Sequence, residues 1–239
     1  MCSFIKNYFK EESFPSEFNN CFITLIPKVD NPETIKQFRP ITLCNVSYKI
    51  LTKVLVNRIR PLLGKLIGPF QSSFLPGRQT SDNIIITQEI LHSLDNRKIG
   101  KQGMIFKIDL EKAYDKISWD FLGKALFNIN LNVKWVKLIM SCVSGGHTSV
   151  LWNGEPLPQI TQRRGLRQGD PLSPYLFVIC MEYLSGLILD RVEKKQWEGI
   201  KASPNGPTIT HLFFADDLIL FDNADKVNCA TILEVLEEF

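Results

Sequence analysis

The chain has 239 residues, 44 % of them hydrophobic and 22 % charged, with a formal net charge of +3; that is enough for a substantial core in one large domain or two smaller ones. No apolar run approaches the roughly 20 residues that span a bilayer, the start lacks the apolar core of a signal peptide, and Glu11 and Glu12 argue against a transit peptide. Six single cysteines, at Cys2, Cys21, Cys44, Cys142, Cys180 and Cys229, include no close pair of the kind zinc sites use, so an intracellular protein, nuclear or cytoplasmic, with reduced thiols is expected. The small net charge hides an asymmetry: residues 1–107 hold 15 Lys and Arg against 8 Asp and Glu, and residues 108–239 hold 13 against 17. A basic first half suits a polyanionic partner, and an acidic second half suits divalent cations.

In chain order, a short helix is expected before Pro15, then strands at Phe22–Ile26 and Phe38–Leu43, with Lys28 and Arg39 each beside a proline. Together these two cations could cradle a phosphate, Lys as a point charge and Arg as a planar fork. From Ser47 the apolar spacing turns helical, with Pro61 near the helix end and Gly64 breaking the pattern beyond it. Residues 71–78 form a loop, and Asp82 is expected to cap a helix to about Leu94. The polar run 95–103 is the best internal boundary. Met104–Leu110 reads as a strand with Asp109 near its end, followed by a helix capped by Ser118 and another over Val133–Cys142. His147–Asn153 alternates as a strand, and Asn153-Gly154 is a strong hairpin turn. Asp170 as cap and Pro171 in the first turn fit a long apolar helix to about Lys195. A strand Ile209–Ala215 and a terminal helix Lys226–Glu238 close the chain. The second half thus reads as an antiparallel sheet backed by helices, a split βαβ arrangement of the α+β class.

One stretch stands out. In Phe213-Phe214-Ala215-Asp216-Asp217-Leu218-Ile219-Leu220-Phe221 two adjacent carboxylates interrupt an apolar strand–turn–strand run, where charge is costly without compensation. Asp-Asp is also ordinary turn chemistry, so the pair alone leaves turn and metal site both open. Asp109, at the end of a strand that could neighbour this hairpin, changes the balance. Three clustered carboxylates repel one another unless a cation joins them. Two Mg²⁺ ions with hard oxygen ligands would suit, one activating an attacking hydroxyl and the other steadying the leaving oxygen.

The ordered set Leu25-Ile26-Pro27-Lys28, Arg39-Pro40-Ile41-Thr42-Leu43, Phe106-Lys107-Ile108-Asp109-Leu110-Glu111-Lys112-Ala113-Tyr114-Asp115, Arg164-Gly165-Leu166-Arg167-Gln168-Gly169-Asp170-Pro171-Leu172-Ser173-Pro174 and Phe214-Ala215-Asp216-Asp217 resembles the reverse transcriptases of non-LTR (LINE-type) retrotransposons, over about residues 21–225. The resemblance implies right-hand polymerase fingers at 1–103 and palm at 104–239. It also implies nucleotidyl transfer to a primer 3′-hydroxyl, with an RNA template, a DNA primer, deoxynucleoside triphosphates and Mg²⁺ (or Mn²⁺). By that resemblance Asp109 and Asp216 are the principal catalytic metal ligands, Asp217 a weaker one, and the Leu110 carbonyl completes the shell. Tyr114 resembles the aromatic plate under the incoming sugar, and its ring would exclude a 2′-hydroxyl. Lys28 and Arg39 resemble the residues holding the triphosphate, and Gln168 and Gly169 the loop over the nascent base pair. Gln71, Arg78 and Arg167 are candidates for template contact.

The family continues with another palm strand and a helical thumb, so this chain is expected to be fingers plus a palm truncated at its C-terminus. A non-catalytic nucleic-acid-binding remnant and a maturase-like splicing factor stay open as alternative functions. The stretch Arg163–Pro174 fits the LINE-type pattern better than the maturase one. No oligomeric state can be derived from the sequence.

Overall fold

In a computed structural model, residues 2–12, 14–96, 102–203 and 205–239 are described; the expected boundary run 95–103 therefore falls largely on 97–101, outside the described residues. Helix α1 (Cys2–Glu11) and the single turn α2 (Ser16–Asn19) lead into strand β1 (Cys21–Pro27), which returns as β2 (Phe38–Cys44). The two pair antiparallel from Cys21↔Cys44 to Pro27↔Phe38. Helix α3 (Val46–Leu66) runs past both expected breakers, with Pro61 inside it. Asn57, whose carbonyl loses its partner to the proline ring, is exposed, as is Pro61. Buried Ile59 and Leu63 continue the apolar stripe across that point, so packing overrides the local signal.

Helix α4 (Thr80–Asp95) starts at Gln79 rather than Asp82. Asp82 lies in its first turn and accepts the Gln79 N–H at 3.2 Å, which is the reaching-back half of a capping box rather than the cap itself. After β3 (Gly103–Asp109) the chain passes through Lys112 at φ 55° into the one-turn helix α5 (Ala113–Lys116). Helices α6 (Trp119–Asn128) and α7 (Val133–Val143) come next as expected, the second capped by the Asn132 side chain on the Lys134 N–H. Strand β4 (His147–Trp152) turns through Asn153 and Gly154, at φ 50° and 87°, into β5 (Glu155–Pro156), and β6 (Ile160–Thr161) pairs back on β4. These positive φ values are what Asn-Gly supplies in a tight hairpin.

Helix α8 (Ser173–Glu193) begins three residues after Asp170, so Pro171 precedes the helix rather than opening it. Asp170 does not act as a simple cap. Its buried carboxylate accepts the Leu172 N–H, the Ser173 hydroxyl and the Tyr48 hydroxyl, each at 3.2 Å. Strands β7 (Ile200–Lys201), β8 (Thr208–Ile209), β9 (His211–Phe214) and β10 (Asp217–Asn223) precede helix α9 (Lys226–Glu238), whose N-cap Asp225 accepts the Asn228 N–H at 2.9 Å.

The chain groups into two compact units, each made of two separate stretches: residues 1–61 with 112–177, and residues 62–111 with 178–239. These do not coincide with a contiguous division at 103/104. Strand β4, expected among the palm strands, pairs in parallel with β1 in the first unit, Cys21↔Thr148 to Ile23↔Val150. Parallel pairing demands a long crossover, so it joins residues far apart in sequence. Conversely α4, expected with the fingers, belongs to the second unit. There Ile90 joins Ile200, Ile209, Leu212 and Phe221 in a buried cluster, under an antiparallel sheet of order β3-β10-β9. Helices and largely antiparallel sheets make the fold α+β.

Candidate active site

All of the carboxylates expected to hold metal lie in the second unit. Strand β10 pairs antiparallel with β3, and the register sets Asp217 directly opposite Asp109. On its other edge β10 pairs with β9, Asp217 against Phe214, leaving Ala215 and Asp216 as the two-residue turn. Cross-strand partners project from the same face with Cβ atoms about 4.5–5.5 Å apart. The register thus brings Asp109 and Asp217 together at one sheet end, with Asp216 next to them in the turn and Leu110 just past β3. Lys107 shares this end, its Nζ 3.7 Å from Asp217 Oδ1. Both side chains are well exposed, so this ion pair contributes little. Among the described residues no three or more His, Cys, Asp or Glu side chains converge as a metal cluster. The donor set nevertheless fits a hard divalent cation: carboxylate and carbonyl oxygens on neighbouring strand ends, without a soft ligand.

The turn is held from behind by residues the sequence showed no sign of using this way. Phe213 donates its N–H to the Phe70 carbonyl at 2.8 Å, and the Phe213 carbonyl accepts the Ser72 N–H at 3.1 Å, the Ser72 hydroxyl at 3.2 Å and Asn83 Nδ2 at 2.9 Å. The loop before α4 therefore acts as an extra parallel edge on β9, bridged at Gln71↔Phe213. Gln71 is 2 % exposed. Its amide oxygen accepts the Ser73 N–H at 2.9 Å and the Ala215 N–H at 3.4 Å, and its Nε2 is buried without a partner. Ala215 occupies the left-handed region at φ 52°, a conformation that costs a non-glycine residue energy and needs such support. Gln71 is thus an internal brace of this turn. Arg78 is also engaged internally: Nη1 donates to the carbonyls of Gly68 and, at 2.7 Å, Gln71, and Nη2 to that of Ile67 at 2.9 Å. Only proximity in space could have revealed these roles, since neither residue belongs to a periodic pattern.

The remaining expected residues lie in the first unit. The pairing of Ile26 with Arg39 and the Lys28 N–H bond to the Gln37 carbonyl, at 2.7 Å, extend the β1–β2 ladder, so Lys28 and Arg39 fall on the same face of its looped end. Both are exposed. The Lys28 ammonium donates to the Lys36 carbonyl at 3.3 Å. The segments around Tyr114 and Arg164–Gly169 are stitched together: Gly165 N–H to Ile117 carbonyl at 2.7 Å, Leu166 N–H to Tyr114 carbonyl at 2.8 Å, and Trp119 Nε1 to Gly165 carbonyl at 3.0 Å. The Gln168 carbonyl then accepts the Thr42 N–H at 2.7 Å, tying this loop to β2. Gly169 has φ 111°, and a Cβ there would lie 2.8 Å from the Thr42 carbonyl oxygen, so no other residue fits this approach. Tyr114 stacks on Phe177, ring centroids 4.5 Å apart and planes 8° from parallel, which fixes the ring as a flat plate.

Arg167, a candidate for template contact, lies inside the first unit. It is 5 % exposed, its Nη1 donates to Asn19 Oδ1 at 2.6 Å and its guanidinium lies over the Tyr48 ring, 5.0 Å from the centroid. It braces the interior of the first unit.

Asp109 at one strand end thus stands opposite the Asp216-Asp217 turn of an antiparallel sheet. The family profile "Reverse transcriptase (RNA-dependent DNA polymerase)" matches residues 26–239, and the chain belongs to that family. It is 27 % identical over 212 residues to the 149 kDa protein of transposon TX1 from Xenopus laevis, covering 89 % of this chain and 16 % of that protein. It is also 29 % identical over 196 residues to the Pol polyprotein of the type-2 retrotransposable element R2DM from Drosophila melanogaster, covering 82 % and 17 %. The chain thus spans about a sixth of the length of these relatives. Among solved structures, apo telomerase from Candida tropicalis superposes with a TM-score of 0.57 at 16 % identity, covering 98 % of this chain and 50 % of that one, which is a likeness of fold. No described helix is long and apolar enough to cross a membrane.

Proposed function

We propose that this chain is the fingers and palm portion of an RNA-directed DNA polymerase from a non-LTR retroelement, and that Asp109, Asp216 and Asp217 hold Mg²⁺ or Mn²⁺ for nucleotidyl transfer. The observation that carries the reading is the register of β3 on β10, with Asp109 opposite Asp217 and Asp216 in the adjoining turn. Bound there, divalent ions would supply charge neutralisation and an activated primer hydroxyl. The Leu110 carbonyl is a further oxygen at the same strand end.

The other roles rest on chemistry and position. Lys28 and Arg39, on one exposed face of the β1–β2 ladder, suit the phosphates of a deoxynucleoside triphosphate. Tyr114, held flat by Phe177, would lie against the sugar. Gly169 lets the Gln168 backbone approach closely, as a loop over a base pair requires. The fingers-like and palm-like division is retained as two functional portions, although compact packing groups the chain differently. RNA template and DNA primer are the partners this reading implies, and Gln71 and Arg78 would serve the template indirectly, through the loop they brace.

Two measurements test it. Titration of the chain with Mn²⁺, monitored by its paramagnetic resonance signal, should detect binding that Asp109→Asn weakens at least about tenfold. In a chimaera that carries this chain in place of the matching part of an R2 polyprotein, extension of a DNA primer on an RNA template should fall about 1,000-fold on Asp109→Asn or Asp216→Asn. Extension that survives either substitution would remove the carboxylates from the chemistry. A chimaera that binds the primer–template duplex without extending the primer would favour the remnant reading.

A further inference from the structure

Six cysteines scattered through the sequence predict no pairing, but strand register makes one. Cys21 opens β1 and Cys44 closes β2, and the two are direct partners in the antiparallel ladder. Which kind of partner they are can be read from the hydrogen bonds. The Thr42 N–H points away from β1, to the Gln168 carbonyl, so the pair Ile23↔Thr42 is non-hydrogen-bonded. Pair types alternate along an antiparallel ladder, which makes Cys21↔Cys44, two residues further on, non-hydrogen-bonded as well. At such pairs the Cα atoms approach to about 4.5 Å and the side chains are closest, within the range that a disulfide spans. Neither cysteine is in a disulfide in this structure.

The surroundings favour reaction at Cys21. Its sulfur lies 3.5 Å from the Thr148 hydroxyl on the parallel neighbour β4. Hydrogen bonding from Cys44 is the main reason its thiol is held down, while the same hydrogen bond and burial push the Cys44 thiol up; the Arg167 guanidinium favours a thiolate at either sulfur. Arg167 keeps Nε and Nη2 buried without hydrogen-bond partners, so cationic donors remain available to an anion beside them. Cys21 is 5 % exposed and Cys44 half-buried, which leaves the pair reachable by a small oxidant from the Cys44 side. A low-pKa thiolate next to a resolving thiol is the pattern of an oxidation-prone pair.

We propose that Cys21 and Cys44 form an oxidisable pair that hydroperoxides convert to a cross-strand disulfide at the open end of the β1–β2 ladder, away from the connection between the strands. The Cys21 thiolate attacks the peroxide, the O–O bond breaks and the alcohol (water, from hydrogen peroxide) leaves, giving a sulfenic acid. The Cys44 sulfur then attacks the Cys21 sulfur, the S–S bond forms and water leaves with the Cys44 proton. Two thiols lose two electrons and the peroxide gains them. The link would tether the ladder at the end opposite Lys28 and Arg39.

The test uses the whole chain treated natively with hydrogen peroxide, alkylated, digested without reduction and read by mass spectrometry. A peptide pair joined at Cys21–Cys44, two hydrogens lighter than the separate peptides and released by dithiothreitol, is expected. Cys44→Ser should abolish the link and leave Cys21 oxidised beyond the sulfenic state, while Cys229→Ser and Cys180→Ser should leave the link intact. Circular dichroism of each variant establishes that it is folded. A folded chain in which Cys21 and Cys44 stay unlinked, or link to other cysteines, would overturn the proposal.

Discussion

At the scale of single residues, burial has settled what several polar side chains can do. His211 is 0 % exposed, with its ring nitrogens on the hydroxyls of Ser185 at 2.8 Å and Thr210 at 2.9 Å, and with Phe70 and Phe213 against its ring. Burial lowers its pKa from 6.5 to about 3. The folded chain therefore refuses a proton that the unfolded chain takes up below 6.5. The stabilisation from keeping His211 neutral is complete above that value and is lost progressively as pH falls from 6.5 toward 3. Between pH 7 and pH 5 the Tm of the wild type should thus fall more steeply than that of His211→Asn, with circular dichroism as the readout. Parallel slopes would mean that His211 takes its proton while folded. The buried carboxylates Asp170, Glu182 and Asp222, all pushed up by burial, act in the opposite sense but are common to both proteins.

At the scale of elements, two loops do the positioning. One is the segment before α4, whose backbone and whose Gln71 and Ser72 side chains, with Asn83 of α4, hold the Asp216–Asp217 hairpin. The other is Arg164–Gly169, which joins the Tyr114 segment to β2. Gly169 is the tightest point of the second loop, both by its φ of 111° and by the 2.8 Å that a Cβ would leave to the Thr42 oxygen. Gly169→Ala should destabilise the chain by about 1–3 kcal/mol, measured by urea denaturation, and should expose the Thr42 amide to faster hydrogen exchange. Gly154→Ala, at φ 87° with open space around it, serves as the comparison, because it carries strain without collision. Equal losses at the two positions would count against the close approach.

At the scale of the whole molecule, compact packing sharpens the charge asymmetry that the linear halves display. The first unit holds 17 Lys and Arg against 9 Asp and Glu, and the second 11 against 16. One basic unit and one that carries the candidate metal ligands is a sensible division for a protein that handles polyanions with cations. Affinity for an RNA–DNA duplex should fall steeply with salt, with a log–log slope of roughly −3 to −6 by fluorescence anisotropy if four to six phosphates are neutralised. Substitution of Lys28 and Arg39 by Ala should leave that slope unchanged, because these two cations are assigned to the phosphates of the nucleotide and not to the duplex. A salt-independent affinity would remove the basic unit from nucleic-acid binding.

What the sequence determined by itself was local and ordered: most strands and helices, the Asn153-Gly154 turn, and a series of motifs whose order identifies the family. Those features are legible because hydrophobic period, caps and turn chemistry act within a few residues of one another. Local signals misjudged the course of α3 past Pro61, where buried apolar contacts outweighed a breaker, and the start of α8, where the Asp170 carboxylate is engaged by Leu172, Ser173 and Tyr48. Tertiary structure alone decided that Asp217 is the residue facing Asp109, that Gln71 and Arg167 are internal braces, that β4 joins β1 rather than the β3-β10-β9 sheet, and that Cys21 meets Cys44. Each of these depends on strand register or burial between segments distant in the chain. A register shift of one residue would reverse every side chain on a strand, and packing chooses among registers only once the sheet is assembled.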